Sequence, residues 1–304
     1  MTHPHLPARR RCAALLGAAL ILLTACQPAD TATAGPDASP PASSPPAAAP
    51  APAATAAGLT AQQRLNLIAD TISTAPADTT DGLPYTYLHL QCWARASTTI
   101  VRTDVRRWRL DADGSGRETI RRAPDLRGLD HQPTPGDRQE LSRATPHTVQ
   151  HGIGQLHPYL PGDIPADPRE LTRLLAPPAL AGEPAYPRIL TSGIVGLAAS
   201  QHLDPRQRAT TLRVLAAVAH LTYQGTTTDL AGRTGLAFQV VADGSTSTLL
   251  IDPATGDLLA ATEWINGGRR PGLHSSTLVL EHGRTRSTGS SVSSSTAAAV
   301  TRPR

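Results

Sequence analysis

Residues 234–265 read TGLAFQVVADGSTSTLLIDPATGDLLAATEWI. Two turn signals divide this stretch. Asp243-Gly244 is the kind of dipeptide that closes a two-residue hairpin, because both central residues of that turn need positive φ. Asp252-Pro253-Ala254-Thr255-Gly256-Asp257 is a longer turn, with proline and glycine at its corners. Around them lie Thr234 to Ala242, Ser247 to Ile251 and Leu258 to Ile265, short runs rich in Leu, Val, Ile and Thr. Runs joined this closely pair antiparallel, since a parallel crossover needs roughly a dozen residues. The stretch therefore predicts a meander. Tyr223 to Asp229 extends it upstream across Ala231-Gly232, and Thr277 to Glu281 closes it downstream.

Further upstream the period changes. Thr60-Ala61-Gln62-Gln63 is a capping-box pattern, and Leu65, Ile68, Ala69 and Ile72 follow at helical spacing, predicting a helix over 61–73. Tyr85 to Val101 then alternates as one strand. Leu88, Leu90, Cys92 and Ala94 fall on one face, and Tyr85, Tyr87, His89 and Trp93 on the other. Val105 to Leu110, the turn Asp113-Gly114-Ser115-Gly116, and Arg117 to Arg121 read as a hairpin. Residues 123–165 are rich in Pro, Gly and His and read as a long loop. Asp167-Pro168-Arg169-Glu170 starts a helix with an N-cap, a proline at the first helical position and an acid in the first turn. Asp204-Pro205 repeats that start, and another helix is expected over about 187–201. About seven strands and four helices, the helices in two blocks, make an α+β fold: a curved antiparallel, half-barrel-like sheet packed with helices over residues 59–286.

The ends of the chain are of a different composition. Arg9, Arg10 and Arg11 precede the apolar core Ala13 to Leu23, which is too short to span a bilayer and has signal-peptide length. Leu23-Thr24-Ala25-Cys26 resembles the bacterial lipobox. That resemblance implies a signal peptide over 1–25, cleavage between Ala25 and Cys26, and acylation (diacylglycerol, palmitate) at Cys26. The arginine run is compatible with twin-arginine export, but Cys12-Ala13-Ala14 follows without the expected bulky pair, which favours the general secretory route. Two acyl chains hold a protein on a membrane where one does not. Residues 26–58 read as an Ala/Pro-rich spacer, spanning ~30 Å as a coil and up to ~100 Å as polyproline II. Residues 287–304 are a second low-complexity stretch.

The charge balance argues against nucleic acid. All 28 basic residues are arginine, and the formal net charge is +4. The 25 arginines from residue 26 onward face 24 acids, so the chain without its leader is nearly neutral.

Several motifs occur in a fixed order. They are W-x-x-D-x-D-G-S-G at residues 108–116, P-A-D-P-R-E-L at 165–171, D-L-A-G-R-T-G-L-A at 229–237 and L-L-I-D-P-A-T-G-D-L-L at 249–259. In this order and spacing the chain resembles an actinobacterial family of uncharacterised extracytoplasmic proteins, over roughly residues 85–283. The resemblance implies membrane anchoring and genes that neighbour extracytoplasmic-function sigma factors. It implies no activity, cofactor or ligand. A looser similarity is to the half-barrel of periplasmic lipoprotein carriers and of sensors that regulate anti-sigma factors. Members of the family carry a transmembrane helix where this chain has the lipobox.

Candidate chemistry is sparse. His147, His151 and His157 have the most metal-like spacing, with Asp163 or Asp167 as possible oxygen donors. Pro146, Gly152 and Gly154 argue against the helix that would bring them together, and solvated loop histidines are the alternative. Cys92 reads as a small buried apolar residue or as a reactive thiol. Serine-nucleophile motifs and phosphate-binding glycine loops are missing from the sequence. Trp93, Trp108 and Trp264 lie on strands, either in the core or lining a ligand cavity. No catalytic residue and no cofactor is assigned. The expected function is a membrane-anchored extracytoplasmic lipoprotein that binds or senses an apolar ligand or an envelope partner without catalysis. The alternatives are a hydrolase built on the 123–165 loop, for example with His147, His151 and Asp163, and a pocketless adhesion or scaffold module.

Overall fold

A computed structural model describes residues 58–289, apart from residues 77, 79 and 81. The Ala25-Cys26 junction, the spacer up to residue 57 and the tail from residue 290 lie outside the described residues.

Helix α1 (Ala61–Ser73) opens the described chain, and its capping box forms as expected between Thr60 and Gln63. Four strands follow: β1 (Tyr85–Ala96), β2 (Thr99–Leu110), β3 (Gly116–Arg127) and β4 (Pro146–His151), with α2 (Pro135–Arg143) between the last two. A helical block comes next: α3 (Pro168–Leu175), a single 3₁₀ turn, α4 (Tyr186–Ala198) and α5 (Pro205–Ala216). Asp167 caps α3 and Asp204 caps α5, each with a proline at the start of its helix. Strands β5 (Leu221–Thr228), β6 (Thr234–Ala242), β7 (Ser245–Ile251), β8 (Leu258–Ile265) and β9 (Gly272–Thr285) complete the fold. All nine strands join one open, curved antiparallel sheet in the order β4-β3-β2-β1-β9-β8-β7-β6-β5. It is two meanders joined edge to edge where β1 meets β9, so the α+β expectation with a curved antiparallel sheet holds.

Three sequence expectations need correction. The run Tyr85 to Val101 is two strands, because the chain turns at Ser97-Thr98. Ser97 takes φ 56°, a left-handed conformation that non-glycine residues adopt rarely, so no Gly, Asn or Asp marks the turn. The Asp243-Gly244 hairpin is the converse case, with φ 48° and 66° at the residues that signal it. Residues 123–165 are not one loop: they hold the end of β3, all of α2 and all of β4. Thr134 and Asp137 form a capping box on α2, but only Leu141 and Asp137 of that helix are buried, too few to show a helical stripe. The described residues thus hold nine strands and five α-helices.

The inner face of the sheet is the one that α1, α3, α4 and α5 cover. Over β5 to β8 it forms the main core, with Phe238, Leu249, Leu215, Leu197 and Leu65 fully buried. The packing of α4 on α3 is close because Gly193 leaves room for Leu175. The outer face carries α2, whose Leu141 packs on Trp93, Ile100 and Leu273. At 1.5–3 kcal/mol for each large apolar side chain, burial at the first of these cores dominates the stability.

Candidate functional site

Inner-face cover stops short of the first meander. Helix α4 packs on β6, β7 and β8, whereas the helix that packs on β2 and β3 is α2, from the other side. The edge of α4 leaves a cleft of about 300 Å³ against the sheet. Its helix wall is Ser192, Val195, Gly196 and Ala199, and its floor includes Leu249, Ala261 and Thr277. Small side chains on both walls keep it open. Its polar end holds Glu263, paired with Arg188 of α4, beside Ser247 and Ser275.

The cleft continues onto β1. Ala199 lines it and also packs on the cluster of Leu88, Leu90, Val279 and Cys92. The register extends this row, with Val279 opposite Leu90, Leu90 opposite Val105, and Val105 opposite Ile120. Val101, Val105, Ile120 and Val149 are only partly buried. Alternation places them on the inner face, where the second half of the sheet has helices over it. The apolar row is bounded by an ionic bridge: Glu118, itself buried, accepts from Arg107 Nε at 2.6 Å and lies 2.9 Å from His151 Nε2.

A second constellation ties the helices to the sheet. His202 (after α4) and His282 (on β9) stack, with their Nδ1 atoms 3.1 Å apart. His202 Nε2 lies 3.2 Å from Asp78 and His282 Nε2 lies 3.1 Å from Asp257, while Arg208 of α5 reaches both carboxylates at 3.3 Å. His202 holds the Asp78 carboxyl below its ordinary range. Burial works against Asp257, but His282 and Arg208 outweigh it and hold the carboxyl down at about 2.

The outer face of β1 and β2 is polar. Asp104 lies 3.1 Å from His89 Nε2 and accepts from Gln91 at 2.8 Å, and Arg138 of α2 donates to Gln91 at 3.0 Å. Burial pushes Asp104 up, yet these hydrogen bonds bring it below its ordinary value. Tyr87 donates to Glu281 at 2.9 Å, and burial together with that carboxylate raises its phenol. Arg102 pairs with Asp137 at 2.8 Å and with Glu140 at 2.7 Å.

The candidates read from sequence are scattered among these features. His147 and His151 lie on strand β4, not on a helix. Four residues along a strand separate them by ~13 Å, too far to share an ion. His147 is exposed, and His151 is engaged by Glu118. His157 and Asp163 line a different, polar opening of about 550 Å³ with Arg109, Asp111 and Arg284. His147, His151 and Asp163 form no joint site. Among the described residues, no group of three or more His, Cys, Asp or Glu side chains could hold a metal ion. Trp93 and Trp108 are buried in packing, the latter 5.0 Å from the Tyr87 ring. Trp264 lines an outer-face opening of about 330 Å³ with Leu230, Leu250 and Leu278. Cys92 sits beside the cleft, where burial pushes its thiol up to about 11 and keeps it protonated. Sequence reasoning missed the His202–His282 pair, the Glu118 bridge and the Asp104 network. Each depends on cross-strand register or helix placement.

Neither the models of known protein families nor the curated proteins match this chain. No helix among the described residues is long and apolar enough to cross a membrane.

Proposed function

We propose that the protein is a non-enzymatic lipoprotein that binds an apolar or amphiphilic ligand on the inner face of its sheet. The single observation that carries this reading is the partly exposed pair Val105 and Ile120, which continues the buried Val279–Leu90 pair outward from the α4 cleft on the inner face. The cleft of about 300 Å³ is at the lower end of small-molecule sites. It holds a short ligand by itself, and a longer chain continues toward Val105 and Ile120. The Arg107–Glu118–His151 bridge gives a polar end to that path. Lipid attachment at Cys26 and the extracytoplasmic face of the cell membrane as location belong to the same proposal. The spacer then lets the domain reach out from the bilayer for a lipid ligand or an envelope protein. The likeness to uncharacterised extracytoplasmic proteins and to lipoprotein carriers, read from sequence motifs, agrees with this role.

The test uses the full chain carrying Cys26→Ser, which removes the acyl anchor. Fluorescence of 1-anilinonaphthalene-8-sulfonate is followed on titration and then on competition with palmitate. Saturable binding, displaced by palmitate, is expected. Ser192→Phe (cleft wall) and Ile120→Glu (open row) should each weaken it at least tenfold with unchanged circular dichroism. Binding that both variants leave intact overturns the assignment of the site, and a chain that takes up neither probe overturns the function.

A further inference from the structure

The motif at residues 108–116, which the apolar path does not use, opens onto the polar cavity of about 550 Å³. Its floor is a row across three strands. Thr86 of β1 stands opposite Arg109 of β2 on one side and Arg284 of β9 on the other. Alternation puts this row on the inner face, two residues beyond Leu88. One wall is the β2–β3 turn, from Asp111 to Gly114, and another is the segment from Gly154 to Ile164. Gln201 and His202, which follow α4, add a third. Backbone hydrogen bonds fix the rim: the Gly154 amide donates to Asp113 O at 2.7 Å and the Leu156 amide to Gly114 O at 2.8 Å. The approach is close enough that a side chain at Gly114 would put its Cβ 2.7 Å from Leu156 O. A rim held in this way is formed before a ligand arrives, so binding loses little entropy to ordering.

The charges inside the cavity are already matched. Asp111 accepts from Arg284 Nη1 at 2.6 Å, from Thr86 Oγ1 at 2.8 Å and from Arg109 Nη2 at 3.1 Å. Asp113 and Asp163 line the same space. Two arginines among three carboxylates favour neither a lone anion nor a lone cation. Hydrogen-bonding capacity of both kinds is left over. Arg109 is only 7% exposed, and its Nη1 donor is buried in the cavity wall with no hydrogen-bond partner among the described residues. Gln201 Oε1, an acceptor, is buried in the same lining and is likewise unpaired among the described residues. A buried donor or acceptor without a partner costs stability, so each is a demand on whatever enters the cavity. Asp163 and His157 add exposed polar groups to the lining.

We propose that this cavity binds a saccharide. A hydroxyl is an uncharged group that donates and accepts through a single atom. A sugar ring carries several of them in fixed positions. One hydroxyl accepts from Arg109 Nη1 while a neighbour donates to Gln201 Oε1 or to the Asp163 carboxylate. The volume lies within the range of small-molecule sites, about 300–1,000 Å³. The cavity shares no lining residue with the α4 cleft, so the proposal does not depend on the apolar ligand.

The full chain with Cys26→Ser is applied to an array of immobilised mono- and oligosaccharides. The strongest hit is then titrated by calorimetry beside free glycine, a small zwitterion. Saturable binding of the saccharide and none of glycine is expected. Ala112→Trp, at an exposed position of the lining, fills the opening and should weaken binding at least tenfold. Arg109→Met removes the buried donor and should weaken it at least tenfold as well. If that variant does not fold, Asp163→Asn keeps the test open, with a loss of about threefold expected at its exposed position. Arg122→Ala, whose pair with Asp125 lies outside the cavity, should bind as the parent does. Binding to no saccharide on the array overturns the proposal, and so does a preference for glycine. Saccharide binding that Ala112→Trp and Asp163→Asn both leave intact overturns it too, since the sugar would then sit elsewhere.

Discussion

The two meanders of the sheet are built alike and held differently. Strands β5 to β8 carry four helices on their inner face, and their core is almost wholly apolar. Strands β1 to β4 have smaller apolar clusters and add polar cross-links: the ion pairs Arg102 with Asp137 and Arg107 with Glu118, and the contact of His89 with Asp104. The difference is one of what each kind of contact needs. Apolar burial needs a second layer to exclude water, so it closes a face. An ion pair linking adjacent strands, or a strand and its covering helix, needs only the register and satisfied hydrogen bonds. The first meander therefore stays ordered while Val105 and Ile120 of its inner face remain partly exposed.

The largest test of this contrast is Phe238→Ala in the second meander. Phe238 is fully buried, and its loss should cost about 4 kcal/mol in chemical denaturation, as for other buried aromatics. An effect under 1 kcal/mol would mean that the helical layer is not what holds this half. Next comes Arg102→Ala in the first meander. It strands the buried Asp137 carboxylate and should cost about 3 kcal/mol. Adding Asp137→Asn should recover part of that loss, whereas simple additivity would deny the ionic cross-link.

Acid probes the seam between helices and sheet. The Asp78 and Asp257 carboxyls are depressed in the folded protein, so their contribution is fully present above the ordinary carboxylate range. It is lost as pH falls through the folded values, down to about 2 for Asp257. Between pH 5 and pH 2.5 the parent should lose about 2 kcal/mol more stability than Asp257→Asn does. Parallel pH profiles for the two proteins would sink this reading. The smallest effect is expected at Arg122→Ala, which breaks an exposed pair with Asp125. It should change stability by less than about 0.5 kcal/mol, and a larger change would show that even surface pairs support the first meander.

The second meander was the more legible half. Its turns are announced by Asp243-Gly244 and by Asp252 to Asp257, and β5 to β8 fall within a few residues of their expected limits. The helix starts at Thr60, Asp167 and Asp204 were equally plain. In the first meander Ser97 takes a turn conformation without the residue type that signals it, so two strands read as one. Helix α2 shares the Thr-Pro-x-Asp logic of the other starts, but its polar body hid it. The open apolar row could be half seen, since Leu88, Leu90 and Cys92 were placed on one face. Val105 and Ile120 joined it only once register was known.

The pairing of Tyr85 with Thr285 sets a clock on assembly. The centre of the sheet joins the first strand of the chain to the last. At ribosomal speeds, β9 is made roughly 10–40 s after β1. During that interval β1 holds an unpaired edge of twelve residues, buried along most of its length in the finished protein. Such an edge is a template for pairing with other chains. A chain cut short before Gly272 would keep that edge indefinitely, with β8 exposed to match it. The last fourteen-residue strand is thus the keystone, and the cell that makes this protein must hold the unfinished chain apart from its copies until it arrives.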